Sequence, residues 1–201
     1  MSDDDHREPQ KSSSAQEDAL QLTEIVTDAE AFVRMIKSPH HYKNDKLRHQ
    51  AFQPPKGQTV ISVARRAIGA PHCADQAREM LNRPDRGESY AGLAAGNVGH
   101  IREQEFQVHD APDSPGAYPG HAHIEFPMPA LARPGPLEPE ELEERARLQK
   151  ALLQSVQFYL DPEPHGQGWS GQELLTPVEI EAAASEAAAP RASELTMPPR
   201  S

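Results

Sequence analysis

Near the middle of the chain, His121-Ala122-His123-Ile124-Glu125 places two imidazoles and a carboxylate at alternate positions. In an extended strand residues 121, 123 and 125 emerge on one face, a few ångströms apart. Two histidines and a carboxylate are the donor set that suits zinc or non-haem iron, with positions left open for water or substrate. Ligands on a single strand seldom converge on one ion, so a fourth donor from a neighbouring element is required. His109 is the expected one, with His100 as the alternative. Two other uses compete with the metal: a hydrogen-bonded polar face of an edge strand with Ile124 and Phe126 turned to the core, and metal-free acid–base or phosphate chemistry.

A second constellation is electrostatic. The chain carries a formal charge of −11, yet residues 31–72 hold eight basic side chains, Arg34, Lys37, Lys43, Lys46, Arg48, Lys56, Arg65 and Arg66, against Asp45 alone, a local charge of +7. Clustered positive potential attracts phosphates and flexible polyanions. Arg34, Lys43, Arg65 and Arg66 are the expected anion-binding residues. Nucleic acid is an unlikely partner, because the sequence pI is near 5.3 and aromatic side chains for base stacking in the basic segment are limited to Tyr42 and Phe52.

Cys73 is the only cysteine, which forbids an internal disulfide and fits a reducing cytoplasm. Beside His72 it could be read as a nucleophile, but a small buried hydrophobe is the commoner use. No basic start followed by an apolar run marks a secretory signal, and no stretch approaches the roughly 18 apolar residues of a membrane span.

These residues need a fold to position them. Hydrophobic residues make up only 36% of 201, with 20 prolines and 12 glycines, so a small core with unfolded attachments is expected. Residues 1–18 read as a disordered acidic tail, 19–160 as one α+β domain with a small mixed or antiparallel sheet, and 161–201 as a largely disordered Gly/Pro/Ala-rich tail. Thr27 and Glu30 stand as a capping box before the alternating run Phe32–Ile36, read as a turn or short helix leading into a strand. His40–Gly57 is an ordered loop anchored by Phe52, and Thr59–Val63 a strand. Cys73–Leu81 is a helix, and Tyr90–Val98 a close-packed helix or a buried strand. Phe106–His109 and His121–Phe126 alternate as strands. Pro139 opens an amphipathic helix whose apolar stripe, Leu142, Ala146, Leu152, Leu153, Val156, Tyr159 and Leu160, runs to a stop at Asp161-Pro162. That 139–160 helix covers its own core or meets another protein, and Trp169, flanked by glycines, is a second docking candidate.

Phe32-Val33-Arg34, Ala51-Phe52-Gln53-Pro54, Ile61-Ser62-Val63-Ala64-Arg65, Tyr90-Ala91-Gly92-Leu93-Ala94 and Gly120-His121-Ala122-His123-Ile124 together resemble a family of small uncharacterised bacterial proteins, a domain of unknown function. The resemblance covers roughly residues 30–126 and implies no activity. Arg34 on a first strand, Phe52 in the next loop and Ser62-Val63 on a second strand also resemble NAD-binding ADP-ribosyltransferase-type folds, although their glutamate strand is not identifiable. The His-x-His pattern with a glutamate resembles cupin barrels, but Glu125 follows His123 too closely for that motif.

The first expectation is therefore a bacterial, cytoplasmic binding or accessory protein that holds a small anion in its basic segment. The alternatives are a metal-dependent enzyme using the histidine strand, or an NAD- or phosphate-binding transferase-like domain using Arg34, Ser62 and Arg65.

Overall fold

A computed structural model describes residues 25–165. The expected tails and Trp169 lie outside the described residues. The chain forms an α+β structure around a six-stranded antiparallel sheet built from β1 (Ala31–Ser38), β4 (Val60–Arg65), β5 (Ser89–Asn97), β6 (Gln107–Asp110), β7 (His121–Glu125) and β8 (Val156–Leu160). Their order across the sheet is β6-β7-β4-β1-β5-β8, and β2 (Tyr42–Lys43) and β3 (Lys46–Leu47) make a separate hairpin. The helices are α1 (Ala70–Leu81), the short α2 (Val98–Arg102) and α3 (Pro139–Gln154).

Strand β1 shows why the sheet buries both faces. Phe32 and Ile36 enter one core with Phe52, Ile61, Ile124, Phe126, Leu148 and Leu152; Val33 and Met35 enter a second with Cys73, Ala74, Ala77 and Leu93 under α1. A central strand covered on both sides need not alternate in polarity, and β5 is buried at eight of its nine positions. Its glycines answer to close approach. A Cβ on Gly92 would stand 2.1 Å from the Tyr159 carbonyl oxygen, and one on Gly96 would stand 2.5 Å from the Phe32 ring.

The Thr27–Glu30 signal is real but has another consequence. Glu30 Oε1 accepts from the Thr27 backbone N–H at 2.9 Å, as in a capping box, yet the turn it closes leads directly into β1.

The 139–160 helix is corrected. It stops at Gln154, and Val156–Leu160 becomes β8, paired with Gly92–Gly96 of β5. The reason is competition for backbone partners: Val-Gln-Phe-Tyr-Leu suits a pleated strand, and the outer edge of β5 offers unpaired N–H and C=O groups. Buried Ser155 makes the switch, donating its hydroxyl to the Ala151 carbonyl at 2.8 Å. The face of α3 that enters the core is Leu148, Gln149 and Leu152, whereas Leu142 is 42% exposed.

Asp161, assigned to the tail by composition, is instead buried. It accepts from Arg78 Nη2 at 2.6 Å, and its own N–H donates to the Ala91 carbonyl at 3.0 Å, so the ordered edge continues beyond β8.

Candidate functional site: a histidine-lined sheet face and a seam arginine

The strand reading of 121–125 brings its three chemical side chains onto one face, and the neighbouring register adds to them. His123 lies opposite Ser62 of β4 on one side and opposite His109 of β6 on the other. His109 Nε2 donates to Glu125 Oε2 at 3.2 Å, and the Thr59 hydroxyl reaches the other carboxylate oxygen at 3.5 Å. His121 is buried, with its Nδ1 3.1 Å from the Ala111 carbonyl. A carbonyl only accepts, so that nitrogen carries the proton and Nε2 keeps the lone pair. The His121 ring packs edge-to-face on His123, centroids 4.9 Å apart, and at 4.8 Å on Tyr118.

Shared face is not shared ion. Among the described residues no group of three or more His, Cys, Asp or Glu side chains is arranged to hold a metal ion. The four expected ligands are engaged in pairs instead: Glu125 takes the His109 N–H, and the His121 and His123 rings pack edge-to-face on each other. His100, the alternative fourth donor, belongs to α2, where its ring meets Gln104 at 3.0 Å. Burial lowers the basicity of both His121 and His123, reinforced by the charge each neighbour would carry, so both imidazoles are neutral at pH 7. A groove of about 450 Å³, lined by Thr59, Gln107, Glu125, Phe126 and Pro127 among others, opens beside the Glu125 end of the row.

The four expected anion-binding residues are not brought together. Arg65 is buried and already held by two carboxylates, with Nε 2.9 Å from Glu30 Oε2 and Nη1 3.2 Å from Asp110 Oδ1. Lys43 is exposed on the β2–β3 hairpin, and Arg66 begins the turn before α1. Lys37, from the same basic segment, pairs with Glu88 at 2.7 Å.

Arg34 is different. The β1–β4 ladder contains only Phe32–Arg65 and Val33–Ala64, after which the strands part. Half-buried Arg34 fills the opening, donating from Nε to the Ala51 carbonyl at 3.0 Å and from Nη1 to the Ser62 carbonyl. Its guanidinium thus closes a seam where ladder hydrogen bonds are missing. No carboxylate of the described residues pairs with it, whereas Arg65, Arg78 and Arg102 each have at least one. Burial lowers its pKa, opposed by the Tyr118 phenol. The same locality acts on His41: burial first, then Arg34, Lys37 and His40, push its pKa down to about 3. Tyr118 is itself held protonated by burial, its pKa raised to about 12.

Tyr118 was missed in the sequence. Tyr118 sits in the Pro/Gly-rich segment before β7, and the one available signal was a large aromatic in a stretch otherwise without anchors.

Cys73 is fully buried and its thiol is pushed up to about 12, so it is packing and not a nucleophile at neutral pH.

His41 gives a signed pH dependence. Its folded pKa lies below the ordinary histidine value, so its neutral form supports the fold fully above about 6.5 and that support is lost as pH falls toward about 3. We expect the urea midpoint to drop between pH 7.5 and pH 5, before most carboxylates titrate, and His41→Asn to flatten that drop. An equal drop in both proteins would contradict the assignment.

No protein-family model, curated protein or solved structure matches this chain. Among the described residues no helix is long and apolar enough to cross a membrane.

Proposed function

We propose that this chain is a binding protein for a small anionic ligand, anchored by Arg34 at the seam between β1 and β4. One observation carries the reading: Arg34 is a half-buried guanidinium that pairs with no carboxylate among the described residues and donates to carbonyls, whereas Arg65, Arg78 and Arg102 are each matched to an acid. A desolvated cation with only carbonyl dipoles for company is costly, and an arriving anion relieves that cost. The depressed His41 supports the same positive field. Arg65 falls out of the anion site because its charge is spent on Glu30 and Asp110. The lone, buried Cys73 and the resemblance to small bacterial proteins favour the reducing cytoplasm of a bacterium.

Inorganic phosphate is the test ligand. It should raise the melting temperature of the wild type by mass action and leave Arg34→Ala unshifted, while exposed Lys43→Ala keeps the full gain. Equal gains in all three proteins would reduce the effect to general salt stabilisation and refute the reading.

A further inference from the structure

The histidine face holds a second arrangement, independent of Arg34's charge. Ser62 is exposed although β4 is otherwise mostly buried. Directly across, on β7, stands His123, half-buried, and its ring makes no hydrogen bond among the described residues. Residues opposite each other in an antiparallel pair have Cβ atoms about 4.5–5.5 Å apart, a separation that a serine hydroxyl and an imidazole nitrogen bridge through ordinary rotamers. On the far side of His123 comes His109, fixed by its 3.2 Å bond to Glu125. Arg34 holds the Ser62 carbonyl and so pins the backbone that carries the hydroxyl.

We propose that Ser62 and His123 form a nucleophile–base pair for acyl transfer from an ester. A general base needs an imidazole nitrogen that no other group occupies, and no side-chain hydrogen bond of the described residues takes up the His123 ring. As the Ser62 hydroxyl oxygen bonds to the ester carbonyl carbon, its proton passes to His123. The bond from that carbon to the leaving alcohol breaks, and the alcohol departs with the proton from His123. Water then attacks the acyl-serine, again losing a proton to His123, and Ser62 regains its hydrogen as the carboxylic acid leaves.

An alkyl fluorophosphonate tests the pair without knowledge of the ester, since it reports an activated serine by forming an Oγ–P bond and expelling fluoride. With the full chain at pH 7.5, we expect one adduct per molecule, located to Ser62 by fragmentation. Labelling should be absent in Ser62→Ala and at least about 100-fold slower in His123→Gln, the usual contribution of a general base. His100→Gln should label at the wild-type rate, and circular dichroism should show each variant folded. No adduct at Ser62, or an adduct formed equally fast without His123, would overturn the proposal. Phosphate stabilisation through Arg34 is measured separately, so either claim can fail alone.

Discussion

Arg65→Ala should lower the stability of this protein by about 3 kcal/mol, the cost of leaving buried acids without their cation. Arg65 is only 3% exposed, and its guanidinium joins Glu30, at the entry to β1, to Asp110, at the end of β6. Deleting it strands two carboxylates that are mostly enclosed. Glu30 shows the coupling: burial pushes its pKa up, but the bonds from Arg65 and Thr27 outweigh burial and hold it below the ordinary value. A depressed carboxylate supports the fold above its unfolded pKa and loses that support as pH falls through the folded one. The gap between wild type and Arg65→Ala in urea unfolding should therefore be widest at neutral pH and narrow below about pH 4. A loss well under 1 kcal/mol at pH 7 would show that the two acids are solvated without Arg65.

Gly92→Ala should cost about 3 kcal/mol and act on one strand pair. The added Cβ would stand 2.1 Å from the Tyr159 carbonyl oxygen and 3.1 Å from both the Asp161 nitrogen and the Leu160 Cα. All three are backbone atoms, so no rotamer change relieves the contact and β8 must move. Since Asp161 anchors Arg78 just beyond β8, the disturbance should reach that buried ion pair. Hydrogen exchange gives the readout: amides of residues 156–161 should lose protection while those of β4 and β7 keep theirs. Unchanged protection across β8 would contradict its pairing with β5.

How much of this was legible depends on whether local pattern and tertiary context agreed. Val60–Arg65 and His121–Glu125 are β-rich or alternating, and they became strands with the faces their spacing implied. The buried strand option for Tyr90–Val98 held because glycines and alanines there serve close packing against β8 and Phe32. The end of α3 was not legible. Leu152, Leu153, Val156, Tyr159 and Leu160 continue a helical spacing, and only the open edge of β5, a partner some 60 residues earlier, makes the last five a strand. The site was half legible for the same reason. His109 was expected beside the 121–125 face and stands there, hydrogen-bonded to Glu125. That Arg65 is spent on Glu30 and Asp110 while Arg34 meets only carbonyls could not be read from a run of basic residues, because partners 35 and 45 positions away decide it.

The side-chain nitrogens of Arg34 provide the most direct test of anion binding. In protein labelled with nitrogen-15 arginine, titration with inorganic phosphate at pH 7 and constant ionic strength should move the Arg34 Nε resonance along a saturable curve, with Arg65, locked between two acids, unmoved. A resonance that stays in place while phosphate reaches saturating levels, or equal small shifts across all arginines, would contradict the account.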